Sequence, residues 1–436
     1  MSATEEKKLI EDYETRPVPK EERKSWYYLT MVWIAGIIAL SATALGGALG
    51  SGMSLKEAII ASAVGCFLLS IFNSLCAIVG NKTGISTGMI STFALGRFGS
   101  ILVSIVIAIS LFGWFGVQLD LFGSSLFNVI NNVFGVEINK VVLMIFGGAL
   151  MTITSMIGYK GLEKLSLFAT PLLGILLIGS AYIVLKNYGY DELSSAPLTM
   201  DPLTVGGGIS LVIGSLAIGA IIAPDFSRYS KSTKDTVIAS TLSYFIGYAI
   251  VLILAVLLAK ATSEVDVVAI MIGIGWGTGA MLVLILAQWT TNNTNLYSSS
   301  LAFSVVFKKV PKYIITILAG IIGTTLAVFG IYDNFISFLS ILSIMIPPVG
   351  GIYVADYMIR SHSYGFKRID SVRKFNVWSL VIWVLAITVA FLTTAPPTGL
   401  GILSITSVPA VDAFVISFVL QFIVSKFNLD KREERV

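Results

Sequence analysis

The chain has 436 residues, 56% of them hydrophobic and only 12% charged, with a mean hydropathy of +0.88 and a net charge of +4. An ordinary globular chain carries about 25% charged residues, so a water-soluble domain is excluded, and no nucleic-acid partner is expected. Apolar runs of about 18 or more residues recur from end to end, each able to cross a hydrocarbon core of about 30 Å as a helix, and their unbroken character excludes a β-barrel.

In chain order, residues 1–27 are densely charged, carry no small-residue cleavage site, and read as a solvated cytoplasmic tail in which Pro17 and Pro19 interrupt any helix. Twelve spans follow, at 28–50, 58–80, 98–125, 141–158, 163–186, 206–225, 236–260, 273–303, 313–330, 335–358, 375–393 and 408–426. The expected fold is all-α and polytopic. Residues 28–186 form a first five-helix repeat, 206–358 a second, inverted one, 375–426 two peripheral helices and 427–436 a cytoplasmic tail.

The repeat is read from glycines. Span one carries "AGIIALSAT" (35–43) and "GGALGSG" (46–52); span six, five spans on, opens with "GGG" (206–208) and closes on "APDFSRY" (223–229). Interruptions in corresponding spans mark helices broken near the midplane, which offer loose backbone groups to ligands. The alternative is that small residues simply let helices pack closely. Cys66 and Cys76 share one apolar run and read as buried thiols.

Lysines and arginines alternate by loop. With the N-terminus inside, 25 of the 29 fall on the inner side; Lys56, Lys140, Lys186 and Lys260 lie one to an outer loop. This is the positive-inside pattern, and it puts both termini in the cytoplasm of a cell-membrane protein.

Two stretches carry candidate chemistry. In "LFGWFGVQLD" (111–120), Trp114 and Gln118 are four apart and share a helix face, pairing a flat ring with an amide. That combination suits a planar heteroaromatic ligand, stacked on the ring and read along its edge. In "QWTTNNTNLYSSS" (288–300), Thr290 and Thr291 crowd the carbonyl of Ala287, since helical side chains lean toward the N-terminus. Such oxygens suit a small hard cation, with Asn292 offering its amide to a neighbouring substrate. The competing reading is a threonine hydroxyl bonded back to the Ala287 carbonyl. Asp120 and Asp333 are the main intramembrane acids, Asp225 is expected to pair with Arg228, and no hydrolase, zinc-protease, Walker or CxxC motif appears, so no enzyme is expected.

The segments "RPVPKEERKSW", "GWFGV", "APDFSRYSK", "WTTNNTNLYSSSL" and "IPPVGGIYVADY", in order over nearly the whole chain, resemble the nucleobase–cation symporter family of cytosine, purine, allantoin and hydantoin permeases. The resemblance implies a five-plus-five inverted repeat with two extra helices and import of a nucleobase or related ring with sodium or protons, without further cofactor. The implied partners are the heterocycle and the bilayer; no obligate protein partner is evident. It also implies a sodium site of the Ala35, Ile38 and Ala287 carbonyls with the Thr290 and Thr291 hydroxyls. The substrate would stack on Trp114, be held by Gln118 and Asn292, and touch backbone near Ser215. Two positions depart from the cytosine permeases: Leu111 stands where they carry glutamine, and Leu216 replaces their second aromatic platform. Placing the glutamine at 118 is similar to the hydantoin transporter. Rival expectations are proton coupling through Asp120, an amino-acid transporter of the same architecture, and a channel or sensor.

Overall fold

The computed structural model describes residues 17–157, 159–262, 277–307 and 310–430. Most of the expected N-terminal tail, the end of span four at 158, the start of span eight at 273–276 and the tail beyond 430 lie outside the described residues.

Within the described residues each expected span falls mainly on helix. Span one is two helices, α1 (Trp26–Ile37) and α2 (Leu40–Gly52), bent by 62° at Ile38 and Ala39. Span two is α3 (Leu55–Thr83), opened by a capping box in which Ser54 and Glu57 satisfy each other's backbone amides. A short α4 (Thr87–Leu95) precedes the long α5 (Arg97–Phe134), which is span three. Between them Gly96 sits at φ +84°, and a Cβ there would lie 2.8 Å from the Lys374 carbonyl, so only glycine makes this corner.

The first half continues with α6 (Lys140–Ile157) and α7 (Tyr159–Asn187), followed by the short α8 (Tyr190–Ser195). Span six is α9 (Val205–Ile221), capped by Thr204, then a break at Ile222 and a short α10 (Ala223–Ser227) with Pro224 in its first turn. Span seven is α11 (Thr233–Thr262), which widens to a π-helical turn over Thr241–Gly247. Then come α12 (Gly277–Val306), α13 (Lys312–Val328), α14 (Phe335–Met345), α15 (Pro347–Arg360), α16 (Val377–Thr393) and α17 (Pro409–Lys426).

Among the described residues, five helical passages are each long and apolar enough to cross a bilayer, and the bent α1–α2 pair makes a sixth; shorter apolar helices accompany them. The lipid side of the bundle is apolar, with Ile109, Ile145, Ile178, Leu318 and Val384 at least 47% exposed.

The break in span one is not at its glycines. Gly46 and Gly50 lie within α2 and let it approach α11: a Cβ on Gly46 would stand 2.8 Å from the Leu252 carbonyl, and one on Gly50 3.0 Å from that of Val256. Gly214 in α9 likewise meets the Leu339 carbonyl of α14. These glycines serve close packing.

α12 runs along α5, with α6 and α7 against its other sides and α2 touching it; α14 packs on α9. The site is therefore framed by the broken pair α1–α2, by α5 and by α12. Away from this frame, Lys24 bridges to the Tyr229–Lys231 backbone, Asn81 donates to the Ser230 carbonyl, and Arg360 and Arg373 pair with the buried carboxylates of Asp356 and Asp430.

Candidate functional site

The site begins with the broken helix. In a continuous helix the Ala39 amide would donate to the Ala35 carbonyl and the Ala42 amide to that of Ile38. Here Ala39 N–H turns to the Ile37 carbonyl (2.9 Å) and Ala42 N–H to that of Ala39 (3.0 Å). The expected cation ligands Ala35 and Ile38 thereby lose their helical partners. The reason is local: Ile38 (ψ 87°) and Ala39 (φ −134°, ψ 158°) leave the helical region.

On α12, Thr290 donates to the Ala287 carbonyl at 2.9 Å, so the back-bonded reading applies to that residue. Thr291 is half-buried and makes no hydrogen bond among the described residues, which leaves its hydroxyl as the more available ligand. The described residues contain no cluster of three or more His, Cys, Asp or Glu suited to a metal. A hard monovalent ion would instead take the carbonyl and hydroxyl oxygens just described.

Asn292, fully buried, reaches across to α5. Its Nδ2 donates to the Phe115 carbonyl at 3.1 Å and lies 3.3 Å from Met151 Sδ, while its Oδ1 has no partner. Phe115 stands next to Trp114 and three residues before Gln118, so one bond brings Trp114, Gln118 and Asn292 to the same turn of α5. Gln118, 1% exposed, donates from Nε2 to Ser41 Oγ at 3.1 Å, just beyond the break, and its Oε1 is open. Trp114 is buried and makes T-shaped contacts with Phe335 and Phe338, with ring centroids 6.2 and 5.5 Å away.

Ser215 is not free in the same way. Its hydroxyl contacts the Val212 carbonyl and the Tyr248 hydroxyl, both at 2.7 Å. Leu216 is half-buried against the core, and α14 rather than α9 supplies the rings that meet Trp114. The outer side of the break carries an apolar groove of about 160 Å³ lined by Ile37, Ile38, Gly174, Leu177 and Leu254, which has no polar side chain to read a base.

The sequence reading passed over Gln288, Ser41 and Met151. Gln288 is completely buried, and neither amide atom has a hydrogen-bond partner among the described residues. Its signal was present as the one polar residue closing the apolar run "MLVLILAQ". Other polar residues of the opening stretch are structural: Asn293 accepts from Thr154 and Ser155, Trp289 donates to Thr154, and Ser299 and Ser300 bond back to Leu296. Asp120 is held by Lys140 at 2.6 Å.

A helical bundle with a broken span and buried, unsatisfied amides in its middle is the construction of a membrane transporter. The chain belongs to the family of permeases for cytosine/purines, uracil, thiamine and allantoin, whose model matches residues 17–421. It is 31% identical over 375 residues to the cytosine permease of Escherichia coli (strain K12), covering 86% of this chain and 87% of that protein. It is 23% identical to the hydantoin permease of Microbacterium maritypicum, covering 84% and 81%. Among solved structures it is similar to the inward-facing conformation of Mhp1, with a TM-score of 0.81, 19% identity and 95% and 93% of the two chains covered. A closed conformation of Mhp1 with bromovinylhydantoin bound gives a TM-score of 0.77 at 20% identity. The chain is thus a membrane permease and not an enzyme.

Proposed function

We propose that this permease imports a nucleobase or closely related planar heterocycle by sodium symport, through alternating access of a site near the bilayer midplane, with both termini cytoplasmic. The ring stacks on Trp114 and is held at its edge by Gln118 and Asn292, while sodium takes the Ala35, Ile38 and Ala287 carbonyls with Thr291 and Thr290. Leu216, and backbone beside Ser215, close the opposite wall.

The observation that carries this reading is the bond from Asn292 to the Phe115 carbonyl. It joins the ring-reading turn of α5 to the threonine pair of α12, and the Gln118–Ser41 bond then reaches the broken helix. Both ligands therefore touch the same three elements. Each is expected to raise the other's affinity by the same factor, as linkage requires. The membrane potential favours inward movement of the sodium charge by about 2.3 kcal/mol per 100 mV. The pairing of Asp120 with Lys140 weighs against Asp120 as a proton carrier.

Uptake of radiolabelled cytosine, adenine, uracil and hydantoin into proteoliposomes tests the proposal. Uptake of at least one ring driven by an inward sodium gradient is expected. Equal uptake with potassium in place of sodium removes sodium coupling, and uptake of amino acids without competition by any ring removes the substrate class.

A further inference from the structure

Gln288 is the buried group that the reading above does not use. It is 0% exposed, and both Oε1 and Nε2 lack a hydrogen-bond partner among the described residues. A buried amide left open in this way is costly, by about 1–3 kcal/mol per polar group, unless something else completes it.

Its direction follows from helix geometry. At about 100° per residue, Gln288 lies about 40° from Asn292 on the surface of α12. Trp289 and Asn293 lie on the other side of Asn292, where they bond Thr154 and Ser155 of α6. Gln288 therefore turns away from α6, to the sector between Asn292 and Thr291. That sector lies between the ring-reading amides and the cation oxygens.

We infer that Gln288 reads the edge of the substrate, and that the set of open amide atoms selects a ring rich in N–H groups. This rests on the proposal that the site takes a planar heterocycle. Asn292 can present only its oxygen, because its Nδ2 hydrogens face the Phe115 carbonyl and Met151 Sδ. Gln118 presents Oε1 and the second hydrogen of Nε2, the first being held on Ser41. Gln288 presents one acceptor and one donor side by side, the complement of an amidine or lactam edge with an N–H next to C=N or C=O. The open set is three acceptor oxygens, which call for N–H groups, with the nitrogens of Gln288 and Gln118 left to donate to ring acceptors.

A ring with three N–H hydrogens and an adjacent acceptor, as in cytosine, satisfies all three oxygens. Uracil and hydantoin have two N–H hydrogens and leave one oxygen bare. Sites built on hydrogen bonds discriminate most strongly when their own buried groups are left unpaired.

The test is equilibrium binding to the purified full-length protein in nanodiscs with sodium present, using radiolabelled cytosine. Competitors are uracil, hydantoin and pyrimidin-2-one, which is cytosine without its amino group. The wild type is expected to bind cytosine about tenfold or more tightly than each of the three. In Gln288→Met, similar in shape but without the amide, the difference between cytosine and pyrimidin-2-one should shrink about fivefold or more, because one of the two oxygens that pyrimidin-2-one leaves bare is gone. The empty variant should melt at a higher temperature, because no buried amide is stranded. Should Gln288→Met fail to accumulate, Gln288→Asn, with the amide one carbon shorter, must show the same loss of amino-group discrimination. If the wild type prefers cytosine and both variants keep that preference, Gln288 does not read the edge. A wild type that binds uracil as well as cytosine overturns the N–H selection. If no ring binds the wild type at all, the substrate proposal fails first and this inference with it.

Discussion

Replacing Asn292 by alanine separates the site's scaffold from its ligand contact. In the protein alone, Asn292→Ala removes one amide bond to the Phe115 carbonyl and a weaker contact to Met151 Sδ. A typical intramolecular hydrogen bond contributes about 0.5–1.5 kcal/mol net, so the fold should lose about 1–2 kcal/mol including the small cavity. That is a modest shift in melting temperature. For the substrate, the loss of Oδ1 strands an N–H against a methyl group. The cost of about 1–3 kcal/mol corresponds to an affinity about 5- to 150-fold lower. Thermal denaturation with size-exclusion readout gives the first number, and cytosine binding at saturating sodium gives the second. A folded Asn292→Ala protein that binds cytosine within twofold of the wild type would refute the placement of Oδ1 toward the substrate.

Four further outcomes are expected. Thr291→Ala should raise the sodium concentration for half-maximal uptake about tenfold or more, whereas Thr290→Ala, whose hydroxyl already bonds Ala287, should have the smaller effect; titration of uptake against sodium distinguishes them. Asp120→Asn should leave uptake sodium-driven, because Lys140 is 41% exposed and can be solvated without its partner; a shift to gradient-independent transport would revive proton coupling. Asp430→Ala strips a buried carboxylate from both Arg360 and Arg373, and breaking such a pair costs about 3–5 kcal/mol, so thermal stability should fall sharply in a melting experiment. Gly46→Val should cut the yield of folded protein in size-exclusion chromatography, because the side chain meets the Leu252 carbonyl and Ala255 of α11.

Hydropathy made the architecture legible, because each span must bury its own backbone in lipid and so announces itself as an uninterrupted run. The break in span one was legible only as a region. Two segments of span one stood out, 35–43 and 46–52; the chain leaves the helix in the first, at Ile38 and Ala39, while the glycines of the second stay helical. On either side of the break the two helices pack on different parts of α11, α2 on its C-terminal part and α1 on its N-terminal part and π-helical turn. The shared helix face of Trp114 and Gln118 followed from spacing alone, whereas the bond from Asn292 to the backbone of the same turn of α5 depends on helix packing. The fate of Ser215 was not readable, since Tyr248 lies 33 residues away and takes its hydroxyl through packing of α11 on α9's neighbours. Gln288 was readable in principle, for a glutamine ending an apolar run must find a partner, but only the structure shows that none stands among the described residues.

Reciprocal binding of ion and ring is the most direct measurement of whether they share one site. Cytosine affinity is measured across a sodium series, and sodium affinity with and without saturating cytosine, on the same purified protein. The account predicts that both affinities rise by one common factor, and that Thr291→Ala reduces that factor toward one. Cytosine binding that is indifferent to sodium, in a protein that binds both, would contradict it.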